Sequence, residues 1–171
     1  MQHEIKSAMA GTVGGLVATA ILREAARHAG KLPAQLQPPS PVEDPGEHMV
    51  GRFEHLVGRA LPGPLHRGAA QGLGFGYGAI GPLAIGLLAP RLGLHRTGRT
   101  LAVGAGLGAA VWAAGYLGWL PATGLLPRER QRILPMLSSL ATHVGWGMLA
   151  SLPLLLVEKR ARPRWRRAFG L

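Results

Sequence analysis

The sequence predicts an all-α integral membrane protein, a four-helix transmembrane bundle with one additional amphipathic interfacial helix. The first observation is a stretch of 28 residues, Thr100 to Pro127, without Asp, Glu, Lys or Arg. About 20 apolar residues suffice for a helix to cross a hydrocarbon core of roughly 30 Å. The second is that three further uncharged runs hold most of the glycine, alanine and leucine, while the charges gather in loops and ends. A length of 171 residues predicts one transmembrane domain, 1–171.

The uncharged runs place the four spans. The first run resembles a signal peptide, but its helical pattern continues through Arg23 and Glu24 towards Gly30, so we expect a retained span at 7–28. The second span is predicted at 68–90. The third, at 100–120, ends before Pro121, because proline disrupts the regular helical turn. The fourth is predicted at 133–157, and a basic tail follows at 158–171.

Two segments separate the first and second spans. Residues 31–46 contain five prolines, which predicts an extended linker. Apolar residues then recur at helical spacing over 47–61, opposite histidines and arginines. This pattern predicts an amphipathic helix that either lies in the membrane interface or folds back onto the bundle.

Glycine spacing predicts where the spans pack. At about 100° per residue, one stripe of the third span is formed by Gly104, Gly108, Gly115 and Gly118. Helices in lipid associate through close backbone approach, so this stripe predicts a helix-packing face. The second span carries glycines on two faces, and we therefore expect it at the centre of the bundle.

The net charge of +11 is compatible with nucleic-acid binding, but the placement of the charges favours a membrane surface. Six basic residues follow the last span directly: Lys159, Arg160, Arg162, Arg164, Arg166 and Arg167. We expect this tail to bind anionic lipid headgroups and expect no nucleic-acid partner. The sequence has no cysteine, which excludes disulfides and thiolate chemistry.

Polar residues inside spans are candidates for function. A polar core is predicted from Glu24, His66, Gln71, Tyr77, Tyr116 and His143, of which His143 is the deepest ionisable residue. The histidines lack the spacing of a metal site, and Ser138 and Ser139 lie near His143 only as ordinary helix neighbours. We therefore expect no metal, no cofactor, no catalytic residue and no enzymatic activity.

Several segments resemble the YagU-like family of uncharacterised bacterial inner-membrane proteins. These segments are Gly14 to Thr19 with Glu24, Pro38-Pro39, His66 ahead of Gly76-Tyr77-Gly78, Trp112 to Pro121, and His143 to Gly147. The resemblance implies a bacterial inner-membrane location and a link to acid tolerance. Basic residues nearly balance on the two sides of the membrane, and the dense C-terminal cluster favours both termini being cytoplasmic.

Two functions remain open. The first is a structural or stress-related membrane protein that contacts lipid, a second copy of itself or another membrane protein. The second is a small transporter or channel in which His143, His66 and Glu24 carry protons or ions.

Overall fold

The computed structural model describes residues 2–161, and its regular elements there are all helical. The five helices are α1 (Gln2–Arg27), α2 (Pro45–Val57), α3 (Gly63–Leu92), α4 (Thr97–Ala122) and α5 (Ile133–Ala161). All but α2 are long and apolar enough to cross a membrane. The prediction of an all-α fold with four candidate membrane spans is confirmed.

The helices extend beyond the uncharged runs. The first helix begins at Gln2 rather than at residue 7, and α3 begins at Gly63 rather than at 68. Charged side chains at a helix end can lie in the headgroup region, so the loss of apolar character does not end the helix. The ends of α2 and α3 are instead set by Gly58 and Gly93, with φ of 68° and 62°. Glycine adopts this left-handed conformation without a steric penalty.

The proline-rich linker lies against the end of the bundle at which α5 begins. It includes two single 3₁₀ turns, Ala29–Lys31 and Ala34–Leu36. The Ser138 hydroxyl donates a hydrogen bond of 2.7 Å to the carbonyl oxygen of Leu36. Further along, the Val42 amide donates to the Leu125 carbonyl at 2.9 Å. The linker is therefore attached to the start of α5 and to the loop before it.

The four long helices pack in the order α3, α1, α5, α4, so the first and last helices form the inner pair. The prediction that the second span is central is wrong, because α3 packs along α1 and α2 and barely meets α4. The glycines of α3 explain why it is an outer helix rather than the central one. A Cβ added at Gly68, Gly72 or Gly76 would have no neighbouring atom within 4 Å, so no other helix packs closely against α3 at these glycines.

Backbones meet at glycines where the helices cross. A Cβ at Gly14 of α1 would collide with the Ala150 carbonyl of α5, and one at Gly11 would collide with the Pro82 carbonyl of α3. Gly104 and Gly147 stand in the same relation between α4 and α5. Such contacts supply the van der Waals attraction on which helix association in lipid depends.

The glycine stripe of the third span is only half used for packing. Gly108 lies against the His143 backbone, as Gly104 lies against Gly147. A Cβ at Gly115 would instead meet side chains of its own helix at 3.9 and 4.0 Å, and Gly118 is exposed. Residues Ala113–Trp119 form a π-helical segment. Its wider turn, with i→i+5 hydrogen bonds, rotates Gly115 and Gly118 away from the line predicted at 3.6 residues per turn.

Large apolar side chains cover the outside of the bundle. Exposed examples occur on each long helix: Met9, Val17, Ile80, Leu117 and Leu152. A soluble protein rarely exposes apolar surface on this scale. The surface is suited to hydrocarbon, in agreement with the candidate spans.

Candidate functional site

An apolar groove of about 750 Å³ runs between α2 and α3. Its walls include Met49, Val50, Phe53, Gly72, Gly76, Tyr77, Ile80 and Trp119. The groove exists because Gly72 and Gly76 present no side chain on this face of α3, and the space beyond them is empty to 4 Å.

The start of α2 is fixed against α3. Asp44 caps this helix, since its Oδ1 accepts hydrogen bonds from the Gly46 and Glu47 amides at 2.9 and 3.1 Å. Pro45 occupies the first turn, where its missing N–H costs nothing. Gly46 lets the helix approach the Ala70 carbonyl so closely that a Cβ would lie only 2.5 Å from the oxygen. The amphipathic helix therefore folds back onto the bundle.

A second contact joins the end of α2 to α3. Glu54 Oε1 accepts hydrogen bonds from His66 Nδ1 at 2.9 Å and from the Leu61 amide at 2.8 Å. The hydrogen bond from His66, followed by that from Leu61, lowers the pKa of Glu54 below its usual value. The ionised carboxylate is thus the form that holds the α2–α3 turn together.

We predict that acid weakens this turn through Glu54. A carboxyl group whose pKa is lowered in the folded state stabilises the fold above its unfolded pKa, about 4.3, and this contribution is lost as the pH falls through the lower folded value. Glu54→Gln should therefore flatten the acid limb of α2 amide protection measured by hydrogen exchange in detergent. Glu47→Gln, on the exposed side of the same helix, is the control. An unchanged acid limb in Glu54→Gln would contradict the assignment.

A smaller cavity of about 230 Å³ adjoins the groove, and because a larger part of its wall is polar than in the groove we call it the polar cavity. The two spaces share walls formed by Pro45, Gly46, Gly74, Tyr77 and Trp119. The smaller one adds Arg23, Asp44, Tyr116 and His143. Because they share these wall residues, the two spaces lie side by side in one region of the molecule.

Arg23 enters the polar cavity from α1. A Cβ at Gly74 would collide with its guanidinium group, so the glycine makes room for the charge. The guanidinium carbon lies 4.8 Å from the centre of the Phe75 ring, a cation–π contact that holds it in place. Within residues 2–161, no carboxylate lies within 4 Å of Arg23. Arg23 therefore forms no ion pair with any described side chain.

His143 and Tyr116 form another wall of the cavity. His143 Nδ1 is 2.9 Å from the Ser139 carbonyl oxygen. A carbonyl can only accept, so Nδ1 carries a proton and, in the neutral ring, Nε2 is left as an acceptor. The Tyr116 ring meets the imidazole edge-on at 5.5 Å. His143 thus bonds to its own helix and is oriented by α4.

The structure brings together half of the predicted polar core. Tyr77, Tyr116 and His143 line the polar cavity. The other three lie elsewhere: Glu24 is exposed and pairs with Arg27 and His28, His66 bonds to Glu54, and Gln71 is exposed. Glu24, His66 and His143 therefore do not line a common path, which a transporter using all three would require.

Two of the six tail residues are described. Lys159 and Arg160 are exposed, and Lys159 Nζ donates to the Thr97 hydroxyl at 3.3 Å. Arg162, Arg164, Arg166 and Arg167 lie outside the described residues. Lipid binding by this tail stays a prediction.

A buried polar cluster at the opposite end of the bundle was missed by the sequence analysis. Glu158 Oε1 accepts a hydrogen bond of 2.7 Å from Ser7 Oγ and lies 3.1 Å from His3 Nε2. Ser7 is 0% and Glu158 6% exposed. The serine donates to the carboxylate rather than to the imidazole, so the order of groups is not that of an activated nucleophile. The cluster joins the start of α1 to the end of α5.

Among the described residues, no three His, Asp or Glu side chains are grouped as a metal site would require. The resemblance to the YagU-like family stays a prediction. No family model, curated protein or solved structure was found to match the chain.

Proposed function

We propose that this multi-pass membrane protein is a non-catalytic lipid-binding protein that holds an acyl chain in the groove between α2 and α3. The observation that carries the proposal is the groove itself. Its volume of about 750 Å³ lies within the range of small-molecule sites, roughly 300–1,000 Å³.

The position of the groove favours a lipid over a water-soluble ligand. It lies along α3, a candidate membrane span. Side chains on its rim are open to the outside, with Phe53 at 59% and Ile80 at 66% exposure. A lipid chain can therefore enter sideways from the bilayer, whereas a polar metabolite would have to cross apolar surface.

Apolar contact alone does not explain selective binding. Acyl chains are as apolar as leucine, so the bilayer offers a lipid the same surroundings as the groove. Selection must come from shape and from the polar cavity next to it. This role agrees with a structural or stress-related membrane protein, and the Glu54–His66 contact at the end of α2 is where acid would act on the groove wall.

The Ser7–Glu158 contact supports placing the start of α1 and the end of α5 on one side of the bundle. With the basic tail on that side, we propose a bacterial inner-membrane protein with cytoplasmic termini, and anionic headgroups as partners of the tail. The groove then opens in the opposite leaflet.

Filling the groove tests the proposal. Gly76→Phe adds a ring to the groove wall at a position where a Cβ has no neighbouring atom within 4 Å. We expect this variant, reconstituted with a phospholipid bearing a photoactivatable acyl chain, to lose most of the labelling at Met49 and Phe53. Gly68→Phe is the matched control, since Gly68 is equally open but does not line the groove. Equal labelling in both variants and the parent protein would refute an acyl-chain site here.

A further inference from the structure

We infer that the polar cavity binds the headgroup of a zwitterionic phospholipid with a primary amine, its phosphate at Arg23 and its ammonium group at Asp44. The inference rests on the proposed function, because it requires the acyl chain of the same lipid to occupy the groove.

Two opposite charges line the cavity without forming an ion pair with each other, Arg23 half-buried and Asp44 exposed. Arg23 and Asp44 both line it, yet no ion pair within 4 Å joins them. Asp44 Oδ1 is occupied by the amides of Gly46 and Glu47, which leaves Oδ2 without a hydrogen bond among residues 2–161. A ligand that carries both charges compensates both side chains at once. A phosphate alone would leave the aspartate facing an anion.

The Arg23 guanidinium is held between Gly74 and the Phe75 ring, so its forked donors are oriented before a ligand arrives. A phosphate is the anion that such a fork binds with paired hydrogen bonds. A primary ammonium carries three N–H donors, which match a free carboxylate oxygen, whereas a quaternary ammonium has none.

The two spaces match the two parts of a lipid. The wall of the polar cavity, which holds about 230 Å³, includes three side chains that can hydrogen-bond to a headgroup, Tyr77, Tyr116 and His143. The larger apolar groove lies next to it and shares five of its wall residues. A molecule with a compact dipolar head and an apolar chain occupies both.

The experiment compares two photoactivatable lipids with identical chains, phosphatidylethanolamine and phosphatidylglycerol, in the full-length reconstituted protein. We expect the parent protein to be labelled preferentially by phosphatidylethanolamine. Arg23→Gln should lower labelling by both lipids about tenfold, the loss typical of a charge-assisted hydrogen bond. Arg27 lies one turn further along α1 and pairs with Glu24, so Arg27→Gln should leave labelling by both lipids unchanged. Arg23→Lys keeps the charge and should retain part of the labelling, which separates loss of charge from loss of fold.

Asp44→Asn tests the ammonium position. Asparagine caps a helix as well as aspartate does, so α2 keeps its start while the negative charge is removed. We expect the preference for phosphatidylethanolamine over phosphatidylglycerol to disappear in this variant.

Three results would overturn the inference: a parent protein that prefers phosphatidylglycerol, an Asp44→Asn variant that keeps the parent preference, or full labelling of Arg23→Gln. If Gly76→Phe still blocks labelling in any of these cases, the acyl-chain groove stands and only the headgroup assignment fails. If Gly76→Phe leaves labelling intact, the proposed function fails first.

Discussion

Gly108→Leu is expected to destabilise the bundle by about 3 kcal/mol, at the upper end of the cost of overpacking. A Cβ at this position would collide with the His143 carbonyl and lie 3.0 Å from the Val144 Cα, and backbone atoms cannot rotate out of the way. Gly106→Leu, two residues earlier on the same helix, should be tolerated because nothing lies within 4 Å of its Cβ position. Thermal unfolding in detergent measures the difference. Equal melting temperatures would show that α4 does not meet α5 at Gly108.

The π-helical segment sharpens the same test. If Ala113–Trp119 rotates Gly115 off the packing stripe, Gly115→Ala should leave the melting temperature close to the parent value while Gly108→Ala lowers it. A regular α-helix would place both glycines on one line, and both substitutions would then be costly.

Glu158→Ala should be the second severe substitution, with a loss of about 3 kcal/mol. Removing the carboxylate leaves the Ser7 hydroxyl, which is 0% exposed, without its acceptor. Glu158→Gln retains an oxygen that can accept from Ser7 and should lose less. In the double variant Ser7→Ala/Glu158→Ala the loss should be smaller than the sum of the two single losses, because no buried group is left unpaired. Strict additivity in thermal unfolding would contradict a direct contact.

The spans could be predicted because the physics that selects them acts on local composition. A run without charge that is long enough to cross the bilayer is visible in the chain itself. The amphipathic pattern before Leu61 similarly predicts a helix with one apolar side, and α2 is found there. Gly104 and Gly108 lie on a regular α-helix, so an angle of 100° per residue places them correctly.

What the sequence could not show was which helices become neighbours. The second span has more glycine than any other segment, yet Gly68, Gly72 and Gly76 border open space, because a missing side chain permits close approach without supplying a partner. Gly115 and Gly118 were misplaced for another reason. Their residue types do not indicate that the helix changes from α-helical to π-helical hydrogen bonding at Ala113.

The charged part of the candidate site could likewise not be predicted from the sequence. Arg23 and Asp44 are 21 residues apart in the chain and belong to different elements. They line one cavity only because Gly46 lets α2 fold back onto α3. Glu158 was assigned to the basic tail because basic residues follow it directly in the sequence. Its carboxylate is in fact buried and accepts a hydrogen bond from Ser7, far away in the chain.

The packing order of the helices has a consequence for biosynthesis. Ser7 and Glu158, which join the inner pair, are 151 positions apart, a distance that a ribosome covers in roughly 8 to 30 s. During that interval α1 can pair with α3 through Gly11 and Gly15, but α4 barely meets α3 and has no other long helix to bind. We therefore expect the newly made α4 to be surrounded by lipid until α5 is synthesised. The bundle is complete only when α5 has packed between α1 and α4.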